Sequence, residues 1–203
     1  MHIEFLVEEP SVEVVLNNLL QDKLPDDIYY QIHVFQGKQD LLRKLPDRLR
    51  GYSNWITDEY RIVVLVDEDR EDCHKLKAKL EEISRKANLN TKSTILPGLP
   101  YQVVNRIVIE ELEAWFFGDY EAIRRAYPRM PARLAKRASY RNPDAILGGT
   151  WEALERELQR AGYYMGGLAK IQVARDISVC MHPESNRSHS FLIFWQTIQA
   201  LVK

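Results

Sequence analysis

Arg61-Ile62-Val63-Val64-Leu65-Val66-Asp67-Glu68-Asp69 decides the fold. Ile62 to Val66 are apolar in succession and mostly β-branched, which predicts a strand buried on both faces, as in a parallel sheet. That strand runs directly into three carboxylates. In an open α/β sheet, whatever follows a buried strand lands at the carboxyl edge, where such folds place their ligands. Asp67 and Asp69 are one residue apart, so in extended backbone their side chains point the same way. Two such carboxylates suit a hard divalent cation. The competing reading makes Asp67 to Asp72 a solvated turn that caps the next helix.

Outward from this strand, the pattern alternates. Ile3 to Val7 predicts a first strand ending at Glu8-Glu9-Pro10, and Ser11 an N-cap for a helix carrying Val14, Val15, Leu19 and Leu20 on one face. Tyr29 to Phe35 predicts a second strand. After Gly37, Leu41, Leu42, Leu45 and Leu49 mark a basic amphipathic helix interrupted by Pro46. A helix from about Glu71 to Ala87 follows the central strand, Thr91 to Leu96 reads as a further strand, and Val103 to Ile109 as one more buried strand or equally the opening of a helix. Gly118 reads as a helix stop and Asp119 as the cap of the next helix. Beyond Pro128 the pattern is helical: Thr150 caps one helix, Gly166-Gly167 opens another, and Ser188 or Ser190 starts the last. The expectation is a single α/β domain, a three-layer, mostly parallel sheet over 1–119 with a helical extension over 120–203 packed on it.

Composition excludes several classes. The 203 residues carry 28 Lys and Arg against 29 Asp and Glu, so any nucleic-acid surface must be local. Cys73 and Cys180 are too few and too far apart for a disulfide scaffold or a metal knuckle, which fits a reducing compartment. Met1 to Glu9 lacks the basic end and long apolar run of a signal peptide, and no apolar run approaches the ~18–20 residues of a membrane helix. A cytoplasmic, non-membrane protein is expected. The five histidines show no zinc spacing. Gly148-Gly149 and Gly166-Gly167 lack the Gly-Lys-Ser/Thr of a phosphate loop and read as helix caps.

Two patterns carry chemistry. Acids cluster at three predicted strand ends: Glu8/Glu9, Asp67/Glu68/Asp69 and Glu110/Glu111/Glu113. Carboxylates gathered at one sheet edge need a positive charge to offset their repulsion, and Mg²⁺ is the economical answer, with Mn²⁺ an alternative. For Glu110 to Glu113 the simpler account is the dipole of a helix's first turn. The second pattern is basic. Between Glu121 and Asp144 there is no acid, while Arg124, Arg125, Arg129, Arg133, Lys136, Arg137 and Arg141 all occur, with Tyr127 and Tyr140 interleaved. Such a run suits a nucleic-acid backbone, and equally a solvated face or a partner surface.

Phe5-Leu6-Val7-Glu8, with Val63 to Asp69 much later, resembles a Toprim domain, which carries a glutamate after its first strand and Asp-x-Asp after a later one. More closely, the chain resembles the Toprim-like domain-of-unknown-function family 4276. The matching stretches are Leu6–Ser11, Gly37–Leu42, Val64–Asp69, Ile109–Trp115, Gly148–Glu152 and Asn186–Phe191, which span nearly the full length. One departure is Glu9, where Toprim proteins usually carry glycine. The resemblance implies Glu8, Asp67 and Asp69 as Mg²⁺ ligands. Nucleases of the overcoming-lysogenisation-defect kind add an acid, for which Glu113 or its neighbours Glu110 and Glu111 stand here, and a late lysine, for which Lys170 stands. Toprim-like relatives often sit beside ATPases in defence systems, so a partner ATPase is implied as well. Arg133, Lys136, Arg137, Arg141 and Arg187 are then the nucleic-acid contacts.

Three functions follow as expectations. The first is a Mg²⁺-dependent nuclease on DNA or RNA. The second is a non-catalytic regulatory or toxin-type subunit of an ATPase whose basic helices bind a partner. The third, a phosphoaspartate protein, is disfavoured because the haloacid pattern Asp-x-Asp-x-Thr has Glu71 at its Thr position.

Overall fold

A computed structural model describes residues 1–21 and 23–202. In chain order the elements are β1 (His2–Val7), α1 (Pro10–Leu20), β2 (Tyr29–Val34), α2 (Lys38–Ser53), β3 (Tyr60–Asp67) and α3 (Cys73–Lys86). Then come β4 (Val103–Val108), α4 (Glu113–Gly118), α5 (Tyr120–Ala126), α6 (Thr150–Arg160), α7 (Lys170–Ser178) and α8 (His189–Leu201), with short 3-10 turns between Leu134 and Ala145. The chain forms two compact units, Met1–Glu13 with Leu24–Ile107, and Val14–Lys23 with Val108–Lys203. No helix among the described residues is long and apolar enough to cross a membrane.

The first unit holds a four-stranded parallel sheet in the order β2-β1-β3-β4, flanked by helices. β1 lies between β2 and β3, with Val7 opposite Val34 on one side and Leu65 on the other. Ile62 to Val66 are at most 1% exposed, as a strand covered on both faces requires. On one face, Leu6, Ile62, Val64 and Val66 pack with Leu41, Leu45 and Leu49 of α2 and Leu76 and Leu80 of α3. The i, i+4 spacing along each helix builds that apolar stripe. Burial of a leucine or isoleucine stabilises by roughly 1.5–3 kcal/mol, so this seam is the main force fixing the two helices on the sheet.

Local readings hold at several ends and fail at others. Asp72 caps α3, its carboxylate accepting from the backbone N–H of His74 at 2.9 Å and Lys75 at 3.0 Å. Pro46 does not interrupt α2, which runs through it with Leu45 and Leu49 both buried. The expected strand over 91–96 does not form. Thr91 makes only a single bridge to Val103, and its carbonyl accepts from the N–H of Thr94 and Ile95 at 3.2 Å, while its hydroxyl bonds Glu81 and Thr94. A threonine that closes a local turn withdraws its backbone from a ladder.

The second unit is helical around an aromatic core. Trp115 is fully buried, stacked on Phe194 with centroids 4.9 Å apart and edge-on to Phe191 at 5.1 Å. Its indole N–H donates to Ser190 Oγ at 3.1 Å. Ser188 caps α8 through Phe191 N at 3.1 Å. Thr150 is not the cap of α6: Gly149, at φ 90°, holds that position. The carboxylate of Glu111 accepts from Trp151 N at 2.9 Å and Thr150 Oγ1 at 3.0 Å, so the helix end is capped from a distant part of the chain. The helix expected from Gly166-Gly167 begins at Lys170.

Candidate metal and phosphate site

The parallel register brings Glu8 and Asp67 together. Val7 ends β1 opposite Leu65, so the next residue, Glu8, lies beside the end of β3. Glu8 is 6% and Asp67 4% exposed. The Asp67 N–H donates to Glu8 Oε1 at 3.3 Å, and Glu8 Oε2 is buried with no hydrogen-bond partner among the described residues. Burial, with the Asp69 and Glu9 charges nearby, lifts the Glu8 carboxyl to about 7, against hydrogen bonds with Asp67 that pull it down. A buried carboxylate oxygen left in this state is costly unless a proton or a cation completes it.

A lysine stands at the same edge. Gly37, at φ 85°, turns the chain so that its N–H donates to the Glu8 carbonyl at 2.7 Å and α2 begins at once with Lys38. Lys38 is 8% exposed. Its Nζ donates to the Glu68 carbonyl at 2.8 Å and pairs with Asp69 Oδ2 at 3.2 Å and Glu71 Oε1 at 2.9 Å. Burial lowers the Lys38 pKa, but the bonds to Glu71 and Asp69 outweigh it and leave the ammonium held above its ordinary value.

This arrangement revises the acidic motif. The strand stops at Asp67, and Asp69 turns left-handed at φ 53°, so strand alternation no longer sets its direction. Asp69 is half exposed and paired with Lys38, whereas Asp67 is buried against Glu8. Among the described residues, no group of three or more His, Cys, Asp or Glu side chains could hold a metal ion. What the site offers is a buried pair, Glu8 and Asp67, with an uncompleted oxygen. Mg²⁺ is commonly held by one or two carboxylates, its remaining positions filled by water and substrate phosphate, so the pair fits that ion.

The other candidates belong to the second unit. Glu113 is 1% exposed in the first turn of α4. Glu110 is left-handed at φ 60°, and Glu111 is committed to the cap of α6. Lys170 opens α7 with its ammonium over the Trp151 ring at 5.4 Å. The basic run divides. Arg124 pairs with Glu121 at 3.0 Å, and Arg125 donates to the Cys180 carbonyl at 2.6 Å. Arg129 donates to the Gly162 carbonyl at 2.8 Å and stacks over Tyr163. Arg133, Lys136, Arg137, Arg141 and Arg187 are exposed, and Lys136 and Arg187 line one cleft.

Two features escaped the sequence. Lys38 lies inside a matching stretch, but a lysine after glycine at a helix start carries no signal of burial. Glu4, in the middle of β1, is also buried. It accepts from Tyr52 Oη at 2.8 Å and meets His33 Nε2 at 2.5 Å, beside a cavity of about 250 Å³ walled by Arg48 and Trp55. Burial raises its pKa, but these bonds outweigh burial and hold the carboxyl below its ordinary value.

No curated protein and no solved structure matched the chain. A family model described as a domain of unknown function, DUF4276, matches residues 7–199, which include Glu8, Lys38 and Asp67. The chain therefore belongs to the DUF4276 family.

Proposed function

We propose that the protein is a metal-dependent phosphodiester hydrolase acting on DNA or RNA, with Glu8 and Asp67 holding Mg²⁺ or Mn²⁺. The observation that carries this reading is the buried Glu8 oxygen without a partner beside Asp67, at the carboxyl edge of a parallel sheet. A metal bound there supplies charge neutralisation at phosphate and a more acidic bound water. Glu8 must be ionised to bind it, so binding strengthens as pH rises through about 7. Lys38 fixes the 68–71 loop through one carbonyl and two carboxylates and partly offsets the Asp69 charge that bears on Glu8. Resemblance to Toprim nucleases supports the same chemistry and adds separate expectations for mutagenesis, a further acid at Glu113 or Glu110 and a phosphate-binding Lys170. A partner ATPase within a defence system rests on that resemblance alone.

One observation favours a second reading, a non-catalytic subunit: the cation already at Asp69 is the protein's own Lys38. Two measurements decide. With Mg²⁺ or Mn²⁺, the melting temperature should rise in the wild type and not in Asp67→Asn, since a ligand of the native state alone stabilises it. Wild type should also cleave plasmid, linear DNA, single strand or tRNA, and Asp67→Asn should not. If no substrate is cut with either metal, including with an ATPase encoded beside it, the hydrolase reading fails.

A further inference from the structure

In the second unit, a cleft of about 410 Å³ is lined by Asp119, Tyr120, Arg125, Lys136, His182 and Arg187, among others. Its walls are tied together. The Gly118 carbonyl accepts from Arg187 N at 3.0 Å, and the Asp119 carboxylate accepts from His182 N at 2.7 Å and Ala122 N at 3.2 Å. Those bonds, with Arg125 at 3.9 Å, offset the buried Asp119 charge, and Glu121 is engaged by Arg124. Lys136 and Arg187 are different. Both are exposed, and neither makes an ion pair among the described residues. Elsewhere Arg43, Arg85, Arg124 and Arg160 each pair with a carboxylate three residues earlier on the same helix.

Two uncompensated cations from distant parts of the sequence thus face one braced cleft. A phosphomonoester carries about −1.5 to −2 at neutral pH, which two cations match, whereas an internal phosphodiester carries a single charge. The volume lies in the roughly 300–1,000 Å³ range of small-ligand sites, enough for a nucleotide rather than a bare phosphate. A long backbone crossing a surface needs a strip of cations, while a strand end can enter a cleft. We propose that this cleft binds the terminal phosphate of a nucleic-acid strand, with Lys136 and Arg187 as the binding cations. The choice of nucleic acid rests on the hydrolase reading above; the match of charge and volume does not.

The test uses the full chain in EDTA, so that no cleavage intervenes. Fluorescence anisotropy compares a short oligonucleotide bearing a 5′- or 3′-phosphate with its unphosphorylated form. One of the phosphorylated forms should bind about tenfold or more tightly, the order expected of charge-assisted hydrogen bonds. Lys136→Ala with Arg187→Ala should erase that difference, and Lys75→Ala with Lys79→Ala, exposed cations of α3 outside the cleft lining, should leave it. Both pairs are exposed, and thermal unfolding checks that each variant folds. Equal affinity for all three oligonucleotides overturns the proposal, as does a mononucleotide that competes as well as the phosphorylated strand. Cleavage by wild type and Asp67→Asn is measured separately. An end preference without cleavage refutes only the hydrolase, and cleavage without an end preference refutes only this cleft.

Discussion

Replacing Glu8 by glutamine keeps the shape of the side chain and removes its charge. In the folded protein the carboxyl titrates at about 7, against 4.5 as its ordinary value. The folded state therefore holds this proton more tightly than the unfolded chain does. The resulting stability is fully present below about 4.5 and is lost as pH rises through 7. At ~1.4 kcal/mol for each tenfold change in proton affinity, the loss is roughly 3 kcal/mol by pH 8. Glu8→Gln does not titrate, and its amide still offers an oxygen to the Asp67 N–H and a donor to the Asp67 carboxylate. In EDTA the variant should match the wild type near pH 5 and exceed it by up to about 3 kcal/mol at pH 8. Urea unfolding at several pH values measures the difference, and a constant m-value certifies that both proteins unfold in the same way. If Glu8 and Asp67 hold Mg²⁺ as proposed, adding it at pH 8 should reverse the order, because the variant lacks one of the two carboxylates. Parallel stability profiles for the two proteins would show that Glu8 is not held in a charge-averse site, and the reasoning would be wrong.

Lys38→Met keeps the buried stem but frees Asp69, Glu71 and the Glu68 carbonyl. The two carboxylates are half exposed, so the loss should be modest, about 1–2 kcal/mol, while amide exchange over 68–72 accelerates and β3 stays protected. Unchanged exchange in that loop would remove Lys38 as its anchor. Asp69→Ala should leave metal-dependent stabilisation largely intact and lower any cleavage less than Asp67→Asn does; the reverse ranking would make Asp69 the principal ligand. Gly118→Ala should destabilise by more than about 2 kcal/mol in thermal or urea unfolding, since the new methyl meets buried Asn186 Oδ1 and the Ser188 backbone N. A near-neutral result would mean that the Asn186 bonds to Trp115 and Ser188 can shift at no cost.

The sequence alone determined the inner strands β1 and β3, because burial on both faces leaves an unbroken apolar run such as Ile62 to Val66, and it determined α2, because Leu41, Leu45 and Leu49 carry the helical period in their spacing. It also placed Glu8 and Asp67 at the ends of those strands, and Asp72 at a helix start, where a short acidic side chain has a local partner. Local patterns misled where a side chain outside the segment took part in settling the matter. The turn at Thr91 is secured in part by Glu81, and the start of α6 is capped by Glu111 rather than by its own first residues. Only the tertiary structure decided that Asp69 turns from the strand to meet Lys38, that Lys38 is buried, and that Lys136 and Arg187 share a cleft. The reason is physical: strand and helix periods are written in neighbours along the chain, whereas burial of a charge and the identity of its partner depend on which residues folding brings together.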